Sequence, residues 1–229
     1  VSSSGELFVS RDPGTGKVIA EIHALQAADV DQAVKAARDA FEDGRWARLP
    51  VNERCALLQR LADVVEQRCE VIATLEAMDC GKVYSQAVGD VENFVATTRY
   101  YAEMMLHVEQ RSTLAVPRHE AWSVRKPWGP CAFIFPWNFP FLLAGWGIAP
   151  ARAAGNPVVT KPAEDTPSPT ISLAHLAKEA GMPDGVINVV PGLGEIAGAA
   201  LANHPKLCRK SYTGAPEVGR LVAESCGRT

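Results

Sequence analysis

Three features of the sequence predict a doubly wound α/β protein. Apolar runs cover 131–135, 157–160 and 186–190, helical stretches lie between them, and Gly or Pro punctuates nearly every joint. Strands apolar at almost every position suit a parallel sheet covered by helices on both faces, whereas a half-exposed antiparallel strand alternates. A fourth segment, 207–212, keeps the same rhythm. The repeat therefore reads as βαβα units joined by right-handed crossovers.

The chain before this repeat is built differently. Leu7-Phe8-Val9 and Val18-Ile19-Ala20-Glu21-Ile22 flank Asp12-Pro13-Gly14-Thr15-Gly16 and predict a hairpin. Val30, Val34, Ala37 and Phe41 recur at helical spacing after Asp29 and stop at Gly44; Leu57, Leu58, Leu61, Val64 and Val65 form the next stripe. Val71, Ile72 and Leu75 lead to Cys80-Gly81, where Gly81 suits a left-handed helix end. Val91, Phe94, Val95, Thr98, Tyr101 and Met105 mark a fourth, longer helix. Extended segments at 108–116 and 121–125, joined around Pro117-Arg118, read as a long hairpin. Within the repeat, Ser168 is expected to cap a helix with Pro169 at its first position, ending at Gly181. The division is then 1–107 (hairpin and helices), 108–126 (hairpin) and 127–229 (the parallel repeat).

Composition narrows the function. With 23 basic against 26 acidic residues, a net charge of −3 and no dense Lys/Arg block, nucleic acid is not an expected partner. The longest apolar stretch, 139–154, is interrupted by Pro140, Gly145, Gly147, Pro150 and Arg152, so no membrane span is expected. The start, Val1-Ser2-Ser3-Ser4-Gly5-Glu6, has no basic and apolar leader and no initiating Met, as in a processed or excised piece. Cys55, Cys69, Cys80, Cys131, Cys208 and Cys226 contain no CxxC pair and read as reduced structural thiols. A cytoplasmic location is expected, or a mitochondrial one after removal of a transit peptide. His23, His107, His119, His175 and His204 have no metal-ligand spacing, and no metal is expected.

Ligands of open parallel sheets sit beyond the carboxyl ends of the strands. The segments there are Pro136-Trp137-Asn138, Lys161-Pro162-Ala163-Glu164, Pro191-Gly192-Leu193-Gly194 and Thr213-Gly214-Ala215-Pro216. A neutral amide, a cation, a carboxylate and two glycine turns converge on one rim. Lys161 can donate to ribose hydroxyls or phosphate; Glu164 can accept from an adenosine ribose and opposes a 2′-phosphate, favouring NAD over NADP. Gly214 opens a helix whose first N–H groups suit a pyrophosphate. Asn138, held between two prolines, is a donor of the kind that stabilises an oxyanion, or else a loop-closing residue bonded to its own backbone. Gly192-x-Gly194-x-x-x-Gly198 misses the GxGxxG fingerprint by one residue.

Phe135-Pro136-Trp137-Asn138-Phe139-Pro140, the run from Ala154 to Glu164, and Tyr212-Thr213-Gly214-Ala215-Pro216-Glu217-Val218-Gly219 strongly resemble the NAD(P)-dependent aldehyde dehydrogenase family, in order and over nearly the whole chain. The resemblance implies its N-terminal, Rossmann-like cofactor-binding portion. It implies oxidation of an aldehyde to a carboxylic acid, in which a Cys thiolate attacks the carbonyl, two electrons pass to NAD (or NADP) and a Glu-activated water releases the acyl group. Asn138 would then be half of the oxyanion hole. Phe135, Pro136, Trp137, Lys161, Glu164, Gly194, Glu195, Gly214, Ala215 and Gly219 would contact the cofactor, and the 108–126 hairpin would join a homo-oligomer. Ala215 stands where the family usually has Ser, and Pro216 where it has Thr. None of the six cysteines has the nucleophile's context; the family's general-base Glu and Cys lie further on than Thr229. The chain alone is thus expected to be inactive and to leave apolar sheet and helix faces uncovered. A non-catalytic nucleotide-binding or assembly module is the alternative.

Overall fold

The computed structural model describes residues 2–228. β1 (Leu7–Arg11) and β2 (Val18–His23) form the predicted antiparallel hairpin. Its turn is tied by Asp12, which accepts the Gly14 N–H at 2.8 Å and the Thr15 hydroxyl at 2.7 Å. Four helices come next, α1 (Ala27–Glu42), α2 (Val51–Gln67), α3 (Cys69–Cys80) and α4 (Tyr84–His107). Gly81 ends α3 at φ +71°, as its position predicts. β3 (Arg111–Val116) and β4 (His119–Val124) form the second hairpin, paired only with each other among the described residues and mostly exposed on both faces.

The repeat then runs β5 (Cys131–Ile134), α5 (Pro140–Ala153), β6 (Val158–Lys161), α6 (Ser168–Glu179), β7 (Ile187–Val189), a π-helical turn (Gly194–Gly198) continuing as α7 (Ala199–Ala202), β8 (Arg209–Tyr212) and α8 (Pro216–Arg228). The strands lie in the order β7-β6-β5-β8, and every pairing is parallel. The chain winds outward from β5 through β6 to β7, then returns to β5's other side as β8. That reversal makes the carboxyl end of β5 the switch point at which open sheets hold ligands.

The central strands are apolar throughout because each face has its own core. Cys131, Phe133 and Phe135 on one side join Val158 in packing against α2, α4, α5 and α6; Ala132 and Val159 face Val30, Val34 and Ala37 of α1 together with Ala197 and Leu201. A helix from the N-terminal segment therefore covers one face of the sheet. Its approach is fixed where the Leu25 N–H donates to the Pro191 carbonyl at 2.9 Å, close enough that a Cβ at Gly192 would stand 2.8 Å from the Leu25 carbonyl oxygen. β8 and α8 are less covered: no residue of α8 is buried, and Leu221 is 61% exposed. No described helix is long and apolar enough to cross a membrane.

Three local expectations are corrected. Lys161 is the last residue of β6, paired with Ile134, rather than the first of the loop. Ser168 is the first residue of α6 rather than its cap, and Pro169 the second. The cap comes from α3: the Asp79 carboxylate accepts the Ser168 N–H at 2.9 Å and its hydroxyl at 3.2 Å, and also bonds the Ser10 hydroxyl. One carboxylate thus satisfies a helix N-terminus and ties β1, α3 and α6 together. Finally, Cys208 and Cys226 are exposed, so the thiols are not uniformly core residues; no disulfide joins any of the six.

Two charged features of the core generate predictions. Arg152 is completely buried without a carboxylate partner; its Nε and Nη1 are unsatisfied, Nη2 meets the Met182 sulfur, and burial pushes the guanidinium down to about 9. An unpaired buried cation costs more than an apolar side chain of similar volume. Arg152→Leu is therefore expected to stabilise the fold by about 1–3 kcal/mol in urea unfolding; a loss of stability would mean that its packing outweighs its desolvation.

Glu76 of α3 is also fully buried, with Lys82 Nζ 2.8 Å from Oε1 and 2.5 Å from the Asp90 carboxylate. Burial pushes its carboxyl up to about 7, against the pull of Lys82. A carboxyl raised on folding binds more protons folded than unfolded. Its contribution to stability is thus complete below its ordinary 4.5, falls as pH rises through about 7, and is level above. Glu76→Gln is expected to flatten that fall in unfolding curves taken between about pH 5 and pH 8. An unchanged slope in the variant would assign it to another group.

Candidate functional site

The ends of β5, β6 and β8 are in register, Ile134 lying opposite both Lys161 and Tyr212. The loops leaving these strands are therefore delivered to one rim. Between that rim, the π-helical turn and α8 lies a cleft of about 640 Å³, lined among others by Ile134, Glu164, Gly194, Glu195, Tyr212 and Val218. It is mostly apolar, with Glu164 and Glu195 at one polar end and Asn203, Glu224, Ser225 and Arg228 elsewhere on its wall.

That polar end is a connected network. Lys161 is 3% exposed, and its Nζ lies 2.5 Å from Glu164 Oε2; the other carboxylate oxygen accepts the Gly194 N–H at 3.2 Å. Burial raises the Glu164 carboxyl, but the Lys161 ammonium and the backbone N–H groups outweigh it and hold it below the ordinary carboxylate range. Glu164 is therefore an anion fixed at the cleft wall, with a third of its side chain still open. Gly198 packs beside the cation: a Cβ built there would rest 4.0 Å from the Lys161 methylenes, an ordinary van der Waals contact. The wide turn that carries Gly194 and Gly198 closes from the Ala197 and Gly198 N–H groups onto the Leu193 carbonyl, at 2.9 and 3.3 Å.

Gly214 and Ala215 are exposed just before α8, and Gly219 is half-buried on its first turn. A Cβ at Gly214 would stand 2.7 Å from Cζ of Tyr212, so a side chain there would displace the Tyr212 ring, which lies across the turn and whose hydroxyl donates to the Ala215 carbonyl at 3.2 Å. Ala215 contributes no side-chain cap. Tyr212 and Ile134 are among the lining residues that sequence reasoning did not single out; both are strand-terminal, the one signal that could have found them.

The loop after β5 is held at both flanks. The Trp137 carbonyl accepts the Thr166 hydroxyl at 3.2 Å, and the Phe139 carbonyl accepts the Leu143 N–H at 3.0 Å as α5 begins. Between them Asn138 is exposed, and its side-chain amide makes no hydrogen bond within the described residues. The loop-closing alternative required a bond to its own backbone, and that bond is absent. Pro136 is half-buried and Trp137 exposed, while the Phe135 ring is in the core, stacked on Phe133 at 6.0 Å between centroids. The structure thus brings Lys161, Glu164, Gly194 and Glu195 to the cleft, sets Asn138 and the Gly214 turn on the same rim, and keeps the Phe135 side chain away from it.

No thiol shares that position. Cys131 opens β5 and Cys208 precedes β8, at the opposite, amino edge; Cys226 lies near the far end of α8. Cys80 lines a hollow with Trp137, but its Sγ–H donates to the Glu76 carbonyl at 3.0 Å and burial raises its pKa, so it is held as a neutral thiol.

Residues 1–229 match the model of the Aldehyde dehydrogenase family. Retinal dehydrogenase 2 of Gallus gallus is 42% identical over 230 residues that cover all of this chain and 44% of its own length. Retinaldehyde dehydrogenase 3 of Mus musculus is 42% identical, again over the whole chain and 45% of its own length. An indole-3-acetaldehyde dehydrogenase mutant of P. syringae, solved in complex with NAD+ and IAA, superposes with a TM-score of 0.97 at 36% identity, covering 100% of this chain and 46% of that one. The chain spans under half the length of these curated relatives. A match over every residue, with the fold shared at this level, shows that the chain belongs to the aldehyde dehydrogenase family.

Proposed function

We propose that these residues are the cofactor-binding and oxyanion-donating part of an NAD-dependent aldehyde dehydrogenase. The observation that carries this reading is the Lys161–Glu164–Gly194 network at a strand-end cleft whose rim also bears an unpartnered amide, Asn138. A relative of the same fold is described in complex with NAD+. The cleft fits that cofactor chemically. Glu164, anionic and partly open, accepts from adenosine ribose hydroxyls and repels a 2′-phosphate; Lys161 donates beside it. Gly194 and Glu195 edge the adenine end. Gly214, Ala215 and Gly219 place the first N–H groups of α8 toward the pyrophosphate.

In the overall reaction an aldehyde, water and NAD+ give a carboxylate, NADH and two protons, the bound nicotinamide supplying the two-electron acceptor. This chain's part is positional and electrostatic. The Asn138 amide donates to the carbonyl oxygen as it becomes an oxyanion, a contribution that in other enzymes reaches about 3 kcal/mol. We assign the thiolate and the base to no residue of this chain: Cys131 and Cys208 lie at the opposite edge, Cys226 lies near the far end of α8, and burial raises the thiols of Cys55, Cys69 and Cys80. The exposed 108–126 hairpin, with Leu114, Val116, Trp122 and Val124 all half-open, is suited to pairing with a second copy.

The 229-residue chain mixed with NAD and simple aldehydes is expected to produce no NADH absorbance; steady production would place a competent thiol among the six. Calorimetric titration with NAD is expected to give a dissociation constant above about 0.1 mM. Lys161→Ala or Glu164→Ala weakens it further, and Ala215→Ser, by adding a hydroxyl donor at the turn, tightens it. Micromolar affinity in the unaltered chain would contradict the expected weak binding; indifference to the Lys161 and Glu164 changes would contradict the assignment.

A further inference from the structure

Asn138 has no partner of its own, yet a preorganised donor must be held in place by something. Its loop is followed by Phe139, which precedes Pro140 and sits at φ −140°, ψ 64°, outside both the helical and the extended regions. The Phe139 ring meets a cation: Lys82 Nζ lies 4.5 Å from its centroid. Lys82 is held in turn by Glu76 at 2.8 Å and Asp90 at 2.5 Å, and its side chain is only 8% exposed. Two carboxylates occupy two faces of the ammonium, and the ring occupies another.

We propose that Lys82, clamped between Glu76 and Asp90, is a positioning residue for the Asn138 amide, acting through the ring of Phe139. The inference rests on the reading of Asn138 as an oxyanion donor for its purpose, though not for its geometry. Burying two carboxylates and an amine costs more than filling the same space with apolar side chains, so the cluster is not explained by packing alone. A cation shielded from water holds an aromatic face more firmly than an exposed one does. The ammonium, fixed from α3 and α4, therefore anchors the carboxyl side of the loop, while Thr166 anchors its amino side through the Trp137 carbonyl. Asn138, between the two anchors, is left solvent-facing and oriented.

The test reads the loop itself in the 229-residue chain. Labelling asparagine with 15N makes the side-chain amide pairs visible by NMR, and the pair lost in Asn138→Asp is that of Asn138. Phe139→Leu removes the ring but keeps Lys82, Glu76 and Asp90. Lys82→Met removes the cation, and Lys82→Arg restores one. Phe139→Leu and Lys82→Met are each expected to shift or broaden the Asn138 pair while those of Asn52, Asn188 and Asn203 stay in place, and Lys82→Arg to bring it back. An Asn138 pair unmoved by Phe139→Leu would overturn the proposal, as would Lys82→Met displacing all asparagine pairs together. If Lys82→Met does not fold, Phe139→Leu decides alone. Because turnover is not read, silent spectra remove the positioning role and leave the dehydrogenase reading standing. A moved Asn138 pair beside an Asn138→Ala that does not slow a turnover-competent polypeptide removes the oxyanion role and leaves the Lys82–Phe139 coupling.

Discussion

The parallel pairing of β5 with β6 on one side and β8 on the other is the constraint on which the rest of the site depends. Both pairings end at Ile134, so the loop carrying Asn138, the cation Lys161 and the turn at Gly214 leave the sheet at one level. Parallel strands require helical crossovers, and those crossovers bury both faces of the sheet. The apolar character of 131–135 and 157–160 is thus what aligns the polar groups beyond it. Side chains tens of residues apart become neighbours without any attraction between them.

Two buried charge clusters lie close to the site, and in each the cation is paired with carboxylates. Lys161 is buried against Glu164, whose second oxygen is taken by a backbone N–H; Lys82 is buried against Glu76 and Asp90. A buried ion pair adds little net stability but resists rearrangement, since separating its members strands a charge. Both clusters stand beside loops of the proposed site: one edges the cleft, and the other meets the ring of Phe139, next to Asn138. Arg54 and Arg152 are buried with no carboxylate; the Ala153 and Leu49 carbonyls satisfy Arg54, whereas Nε and Nη1 of Arg152 are left without a partner among the described residues.

The parts legible in the sequence are those governed by local rules. β5 and β6 stand out because every position is covered, and Gly81 ends α3 because only glycine adopts its backbone easily. The rim residues are legible because each lies just beyond the last apolar residue of a strand. The failures come from distance. Ser168 reads as a cap because the true one, Asp79, lies 89 residues earlier. The Gly192-x-Gly194-x-x-x-Gly198 spacing matches no fingerprint because Gly198 closes a π-helical turn over Lys161, a geometry set by the neighbouring strand. The cluster of Glu76, Lys82 and Asp90 carries no signal at all, since charges on helices read as surface until tertiary packing buries them.

The central claim is that these strand ends form a nucleotide cleft, and backbone amide shifts of the chain titrated with NAD test it most directly. Movement is predicted to concentrate at Glu164, Gly194, Glu195 and Gly214, with the amino edge around Cys131 and Cys208 unmoved. Shifts confined to that opposite edge, or none at the rim at millimolar NAD, would contradict it.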